Sequence, residues 1–430
     1  MKKVALKREL GLLEVTLSGV GIILGAGIYA LIGKAAGLAG NSVWLSFGLS
    51  ALVAVFTGLS YAELSSMFPK AGAEYEYVMN AFGRRLAFII GWLIILSGVI
   101  GASTVALGFG GYSNALFNVP VWIGALFLLA SLSFILFYGI KESAWFAIVA
   151  TLIEASGLVF VIFIGLPYLG NVDYFNMPLG LKGVFQASAL IFFAYIGFEG
   201  IVKLSEETKV PEKTIPKGLM LAILISIVLY IFVAVSAVSV MGWEKLSISD
   251  APFADLAFSV LGNKAFAVLS VIALFATANT VLMMLLASSR ITYGMADSFS
   301  LPAVLATLHP SRRTPWVAII SMTVLSMVFV FAGDIDFVAD ITNFTLFVTF
   351  IVINAALILL RYREPALKRP FRVPLAVGKF PILPLLGLAS CIFMLSQLDL
   401  EVLAFGTMLA LLGGLFSMVK VKGKTADERG

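Results

Sequence analysis

Apolar runs long enough to cross a lipid bilayer as helices recur along this chain of 430 residues. A membrane-spanning helix needs roughly 20 predominantly apolar residues. The chain is 60% hydrophobic and only 12% charged, whereas soluble domains are about half apolar and about a quarter charged. The sequence therefore predicts an all-α membrane protein in contact with lipid. We read about twelve spans, at 12–36, 43–67, 86–107, 121–138, 144–169, 184–202, 219–241, 265–295, 315–331, 337–360, 380–395 and 402–419.

The distribution of basic residues gives an independent test of these spans. Lysine and arginine concentrate in short cytoplasmic loops of membrane proteins. With twelve spans, one side collects the basic residues at 2–8, 70–85, 141, 203–217, 290, 312–313, 361–379 and 420–429. The opposite side has few lysines and many acidic residues, namely Lys34, Lys182, Lys245, Lys264, Asp173, Asp250, Asp255, Asp334, Asp336, Asp399 and Glu401. We therefore predict twelve helices in the cell membrane, with both termini cytoplasmic.

Several function classes lack their sequence signatures. The chain carries no zinc-ligand spacing, no phosphate-binding glycine loop and no nucleophile elbow. Its basic residues are spread over short loops and do not form a nucleic-acid-binding face. The single cysteine, Cys391, has no internal disulfide partner. We therefore expect neither an enzyme nor a metal, cofactor or nucleic-acid partner.

The first apolar run contains a cluster of glycines near its middle, in the sequence GAGIY at 25–29. Glycine costs about 1 kcal/mol relative to alanine inside a helix, so the cluster is typical of an unwound segment. Small residues four apart, such as Gly21 and Gly25, also let two membrane helices pack closely. On this run alone, unwinding and close packing both remain open.

The sixth run repeats the feature, because Glu199 lies between Gly197 and Gly200 near mid-helix. Two interrupted helices at corresponding positions of two halves indicate an inverted-repeat transporter. An interrupted helix presents a positive half-helix N-terminus and freed carbonyl groups. These two poles suit a zwitterion that carries a carboxylate and an ammonium.

Two carboxyl groups are predicted deep in the membrane, Glu154 in the fifth run and Glu199 in the sixth. An ionised carboxylate is costly there. Each residue is therefore either a site that binds and releases a proton or a neutral acid bonded to a neighbouring helix. The eighth run adds polar groups that either join an ion or proton site or bond helices together, namely Thr277, Asn279 and Thr280.

The same stretches resemble the amino acid, polyamine and organocation transporter superfamily. The resemblance rests on GAGIY at 25–29, FAYIGFE at 193–199, EETKVPEKTIP at 206–216 and RITYGMA at 290–296. It implies a leucine-transporter-type fold of five plus five helices, with discontinuous helices 1 and 6. The implied repeats are 1–170 and 171–362, and the last two helices, in 363–430, lie outside them.

The resemblance also implies roles for individual residues. The substrate carboxylate would meet backbone amides at 26–28, and the amine would meet carbonyls near Ile23 and at 192–195. Phe193 is similar to an aromatic gate, although core packing is the alternative for this aromatic group, and Glu199 is similar to an acidic residue at the sixth-helix break. The implied substrate-binding set is Ile23, Gly25, Ala26, Gly27, Ile28, Phe192, Phe193, Ala194, Tyr195, Ile196 and Gly197.

One departure from the family concerns coupling, because proton-coupled relatives often carry a lysine where Glu154 aligns. Glu154 can titrate, help to bind a cation or attract a basic substrate. We predict a secondary amino acid transporter with proton-coupled uptake. Exchange of amino acids or polyamines is the first alternative. Sodium-coupled uptake and a transporter-like sensor are the next alternatives. A passive channel needs a continuous polar lining, whereas these spans show isolated polar groups.

Overall fold

The computed structural model describes residues 10–69, 73–138, 140–297, 301–312, 314–332 and 334–418. The described chain is helical almost throughout, because its apolar runs satisfy their backbone hydrogen bonds internally. The α-helices are α1 (Leu12–Ile23), α2 (Gly27–Ala39), α3 (Val43–Met67), α4 (Ala73–Phe82), α5 (Arg84–Phe117), α6 (Val121–Tyr138), α7 (Ile140–Gly165), α8 (Gly180–Ile191), α9 (Pro211–Ser247), α10 (Pro252–Leu261), α11 (Asn263–Asp297), α12 (Trp316–Phe329), α13 (Ile335–Arg363), α14 (Ile382–Leu395) and α15 (Leu400–Met418).

Short 3-10 helices and one small hairpin complete the described elements. The 3-10 helices are Gly40–Ser42, Leu166–Tyr168, Phe192–Tyr195, Phe198–Glu207 and Ala303–Ala306. Strands β1 (Ala376–Val377) and β2 (Phe380–Pro381) pair antiparallel, with Ala376 opposite Pro381. This hairpin directly precedes α14.

Nine helical segments in the described ranges are long and apolar enough to cross a membrane. Four shorter apolar helices accompany them, namely α1, α10, α12 and α14. The protein is therefore a helical multi-pass membrane protein, and the predicted count of twelve spans stays a prediction. The terminal basic residues on which the predicted topology partly depends, together with Lys70 and Arg313, lie outside the described residues.

Small residues allow the long central helices to pack closely. A Cβ atom added to Gly98 of α5 would lie 2.1 Å from Oγ of Ser288 in α11. Because lipid tails give helices no hydrophobic reason to associate, close van der Waals packing of this kind stabilises membrane bundles. The glycine therefore fixes the separation of α5 and α11.

The helix of the first apolar run is interrupted where its glycines cluster. Helix α1 ends at Ile23, residues 24–26 form the connection, and α2 begins at Gly27. The unwinding that the glycine pattern allows is therefore present, and close packing is present as well, because a Cβ atom on Gly21 would lie 2.7 Å from Cγ2 of Thr151 in α7.

The helix of the sixth run is interrupted slightly earlier than its sequence suggests. Helix α8 ends at Ile191, a 3-10 turn follows to Tyr195, and Ile196 is extended. Gly197 has φ +119°, a conformation that side chains rarely allow. Glu199, expected in the break itself, instead lies in the first turn of the 3-10 helix Phe198–Glu207. The backbone therefore departs from helical geometry at Gly197 and not at Glu199.

The backbone preceding α1 pairs with the backbone at the end of this 3-10 helix and just after it. The Leu10 N–H donates to the Glu207 carbonyl at 3.1 Å, and the Lys209 N–H donates to the Leu10 carbonyl at 2.9 Å. The parallel bridge joins Leu10 and Thr208. The ends of the two interrupted helices that lie farthest from the interruptions are thus tied together.

A buried ion cluster joins the end of α3 to the end of α13. Glu63 is fully buried, and its carboxylate accepts bonds from Nε (3.0 Å) and Nη2 of Arg361. Nε of Arg369 lies 3.3 Å from the same carboxylate, and the Val373 N–H donates to it at 2.7 Å. Buried charges require such pairing, so this cluster fixes the segment after α13 against α3.

Candidate functional site

The two interruptions lie against each other in the interior of the protein. A Cβ atom on Gly27 would lie 2.7 Å from Cα of Ala194, and one on Gly197 would lie 2.6 Å from the Ile22 carbonyl oxygen. Only glycine permits approaches this close. The structure therefore brings together the two segments that the sequence predicted separately.

Tyr230 of α9 connects both interruptions through one hydroxyl group. Its Oη lies 2.7 Å from the Ile23 carbonyl oxygen and 3.0 Å from the Ala194 carbonyl oxygen. These carbonyls belong to the region expected to meet a substrate amine. Sequence reasoning missed Tyr230, although a tyrosine near the middle of a strongly apolar run is a signal that points to it.

The backbone at the first interruption is partly satisfied by α11. The Ala26 N–H donates to Oγ1 of Thr280 at 2.8 Å. The following N–H groups, at Gly27 and Ile28, open α2 and have no partner within their own helix. Together with the helix dipole, they give this point a positive pole.

The other polar residues of α11 have different partners. Thr277 donates to the Ala273 carbonyl of its own helix at 2.7 Å. Asn279 Nδ2 donates to Oγ1 of Thr151 in α7 at 3.1 Å. Of the three polar residues predicted here, Thr280 contacts the interruption, Asn279 bonds to α7, and Thr277 does neither.

Glu154 of α7 is fully buried, and neither carboxyl oxygen has a hydrogen-bond partner among the described residues. Its backbone carbonyl accepts a bond from the Tyr29 hydroxyl at 2.8 Å. The Asn279 side chain approaches the carboxyl group. Glu154 thus lies beside Tyr29, the third residue of α2 after the first interruption.

Glu199 has a backbone partner. Its Oε2 accepts a bond from the Gly197 N–H at 2.9 Å, which caps the 3-10 helix that follows. It also interacts electrostatically with Lys203 and Glu74, and Lys203 Nζ lies 3.8 Å from Oε1 of Glu74. The geometry gives Glu199 a capping contact at the second interruption.

The three aromatic residues at the second interruption have different neighbours. Phe193 is buried, and its ring lies 3.1 Å from the Cβ position of Gly27. Phe192 packs against Phe347, with ring centroids 4.8 Å apart. The Tyr195 hydroxyl donates to the Phe47 carbonyl at 3.1 Å. Phe193 alone of these three rings lies over the first interruption.

Asn343 of α13 is a second residue that sequence reasoning missed. Its Nδ2 donates to the carbonyls of Ala189 at 2.8 Å and Leu190 at 2.9 Å. These carbonyls lie in the last turn of α8, where helical partners run out. Asn343 thus stabilises the end of the helix just before the second interruption.

A family model described as amino acid permease matches residues 10–415. The chain is 31% identical to the branched-chain amino acid permease BcaP of Bacillus subtilis, over 92% of this chain and 89% of the relative. It is 32% identical to the methylthioribose transporter of the same organism, over 92% and 90%. It is 30% identical to the vacuolar cationic amino acid transporter 4 of Arabidopsis thaliana, over 84% and 64%.

The match covers both interruptions and nearly all of the described helices. The relatives named above are transporters and not enzymes. This multi-pass membrane protein therefore belongs to the amino acid permease family, within the amino acid, polyamine and organocation superfamily.

Proposed function

We propose that this protein is a secondary active transporter that takes up amino acids by alternating access and couples uptake to protons. The observation that carries the proposal is the contact between two interrupted helices, joined by the Tyr230 hydroxyl at 2.7 and 3.0 Å from carbonyls of both. Interrupted helices of this kind form the substrate sites of several transporter folds. Family membership supports amino acids as the substrate class.

The two poles of an amino acid match the two kinds of backbone group at the interruptions. The N–H groups at Gly27 and Ile28 suit a carboxylate. The carbonyls of Ile23 and Ala194, which face the Tyr230 hydroxyl, suit an ammonium group. The predicted substrate-binding set at 23–28 and 192–197 is retained in this proposal, with Phe193 as the gate because its ring lies over Gly27.

Alternating access requires two groups of helices that move against each other. We propose twelve membrane helices arranged as two inverted repeats, 1–170 and 171–362, with 363–430 outside them, in the cell membrane and with both termini cytoplasmic. The interrupted helices then occupy equivalent positions in the two repeats. Their rotation against the remaining helices exposes the same poles to each side in turn.

Proton coupling is assigned to Glu154. A fully buried carboxyl group without a hydrogen-bond partner among the described residues is stable in the membrane only when neutral or paired. The Tyr29 hydroxyl donates to the Glu154 backbone carbonyl at 2.8 Å, so gain or loss of a proton at Glu154 takes place beside α2 and close to the first interruption. Binding of a proton and of a substrate can therefore be linked.

Transport in proteoliposomes tests this function. We expect radiolabelled L-leucine or L-lysine to accumulate above its external concentration when the outside is acidic and sodium is absent. The two probes are chosen because relatives are named for branched-chain and cationic amino acids. Uptake that occurs only when the liposomes are preloaded with an amino acid would establish an exchanger. Uptake that depends on sodium would establish sodium coupling. Equilibration without accumulation would indicate a channel, and binding without flux a sensor.

Replacement of Tyr230 by phenylalanine tests the ammonium pole. The variant removes the donor that faces the carbonyls of Ile23 and Ala194, which costs about 1 to 3 kcal/mol of stability per unsatisfied buried group. A substrate ammonium then supplies the missing donor. We expect a lower melting temperature without substrate and a larger stabilisation by substrate than in the wild type, measured by thermal shift with the twenty amino acids and common polyamines.

Tyr112→Phe is the matched control for Tyr230→Phe. The Tyr112 hydroxyl is also fully buried, but it donates to the Tyr29 carbonyl and not to the carbonyls of Ile23 and Ala194. We expect this variant to lose basal stability without a larger response to substrate. An unchanged or smaller substrate response in Tyr230→Phe would contradict the assignment of these carbonyls to the ammonium.

A further inference from the structure

The connection between α13 and α14 carries an excess of basic side chains. Residues 361–381 contain six of them and one acidic residue, Glu364. Three of the six have partners within the protein. The other three are exposed, and no residue that the structure describes forms a hydrogen bond or ion pair with them: Lys368, Arg372 and Lys379. These three cations are therefore available to an anion outside the protein.

Two apolar side chains are exposed in the same stretch. Leu375 is 65% exposed, and Val377, in β1, is 71% exposed. Leu375 has φ +57°, a conformation that side chains of its size rarely adopt. Its carbonyl accepts a bond from the Ile382 N–H at 3.0 Å, which holds the strained backbone in place. Strain of this kind persists only where the surroundings impose it, so the fold fixes Leu375 in its exposed position.

The hairpin of β1 and β2 lies close to the level where the protein begins to face lipid. Helix α14, one of the twelve proposed membrane helices, starts at Ile382, directly after β2. Its residues Leu385 and Leu386 are exposed and lie about 5 Å along the helix from its first residue. Exposed leucines on a membrane helix face the apolar lipid tails. Leu375 and Val377 are therefore close to the boundary between headgroups and hydrocarbon.

We propose that residues 372–381 bind anionic phospholipid of the membrane in which the protein lies. Leu375 and Val377 insert into the leaflet, and Arg372 and Lys379 bind headgroup phosphates. Exposed apolar side chains combined with basic ones are the composition that binds anionic membrane surfaces. The predicted topology places this segment on the cytoplasmic side, where anionic lipids give the leaflet a negative surface potential. This lipid partner is additional to the proposed transport function and does not depend on it.

The same segment is bonded to the buried ion cluster. Val373 lies between Arg372 and Leu375 in the chain, and its N–H donates to the Glu63 carboxylate at 2.7 Å. Glu63 is also bonded to Arg361, near the end of α13. A lipid held by the neighbours of Val373 therefore restrains the segment that packs against α3. We expect anionic lipid to stabilise the fold through this contact.

Lipid contact is measured with a fluorophore on the full-length protein in nanodiscs. The fluorophore is attached at Val377→Cys in a Cys391→Ala background, which is specific because Cys391 is the only cysteine of the sequence. Titration compares quenching by doxyl-labelled phosphatidylglycerol with quenching by equally labelled phosphatidylcholine. We expect a higher affinity for phosphatidylglycerol. Arg372→Gln with Lys379→Gln should reduce that preference about five- to twenty-fivefold, because each basic residue near a membrane surface contributes a factor of about five.

Lys245→Gln with Lys264→Gln is the matched control. Both lysines are exposed, lie in α9 and α11, and are predicted to face the opposite side of the membrane. This control also removes two positive charges but leaves the hairpin intact. We expect its preference for phosphatidylglycerol to stay within about twofold of the wild type, because exposed charges beyond a Debye length of about 8 Å are screened.

Thermal unfolding tests the connection to Glu63. The wild-type protein should unfold at a higher temperature in phosphatidylglycerol nanodiscs than in phosphatidylcholine nanodiscs, because a ligand of the folded state stabilises it. Arg372→Gln with Lys379→Gln should lose this difference, and the lysine control should keep it. A difference that the hairpin variant retains would overturn the connection to the buried cluster.

Equal quenching of the wild type by the two labelled lipids would overturn the binding surface. An equal loss of preference in the lysine control would overturn it as well, because overall charge and not the hairpin would then explain the effect. None of these measurements requires transport, so a failure of the proposed function would be seen separately.

Discussion

The Glu154→Gln variant is expected to retain amino acid counterflow in proteoliposomes and to lose accumulation driven by a pH gradient. Glutamine has nearly the shape of a protonated glutamate and keeps a polar group in a fully buried position. It cannot release a proton, so the cycle can exchange substrate but cannot use the proton gradient. The measurement compares both activities in the same preparation, with an acidic exterior for accumulation.

Glu199→Gln is the matched control for Glu154→Gln. The Glu199 carboxylate accepts a bond from the Gly197 N–H, and a glutamine oxygen can accept the same bond. We expect this variant to keep pH-driven accumulation. Accumulation that persists in Glu154→Gln would remove Glu154 from the coupling mechanism, and its loss in Glu199→Gln alone would transfer that role to Glu199.

Glu63→Gln is expected to cause a large loss of stability. The substitution removes the carboxylate shared by Arg361 and Arg369, and it leaves the Arg361 guanidinium buried without its counterion. Removal of one partner from a buried ion pair costs about 3 to 5 kcal/mol. Thermal unfolding in lipid nanodiscs should show a clear fall in melting temperature.

Glu14→Gln is the control for this stability prediction. Glu14 is also a glutamate with a hydrogen bond, because its Oε2 accepts from the Gly11 N–H at 2.9 Å, but this bond is exposed. Surface substitutions usually change stability by less than about 0.5 kcal/mol. Equal effects of the two substitutions would show that the cluster around Glu63 does not hold α3 to the segment after α13.

Local backbone preference explains which parts of the site the sequence predicts well. The glycines at 25 and 27 disfavour a continuous helix, and α1 indeed ends at Ile23 while α2 begins at Gly27. The sixth-run interruption was predicted from glycine and glutamate together, but only Gly197 adopts a positive φ. Glycine propensity acts locally and can be read from the sequence, whereas the glutamate owes its position to the hydrogen bond that it accepts.

Partners distant in the sequence could not be predicted in this way. Tyr230 lies 207 residues from Ile23, and Arg361 lies 298 residues from Glu63. Glu63 lies near the end of α3, and its place in a buried ion cluster depends on this distant arginine. Hydropathy and propensity describe each helix alone, so they do not indicate which side chains meet once the helices pack.

The backbone bridge at Leu10 and Thr208 has a mechanical consequence. If α1 tilted away from the bundle by itself, the two bonds that join Leu10 to Glu207 and Lys209 would break. If the 3-10 helix Phe198–Glu207 moved with α1 as one rigid lever, both bonds would survive. The pairing therefore favours a transport cycle in which one side opens by joint displacement of two half-helices, with the hinge at Gly197 and at residues 24–26.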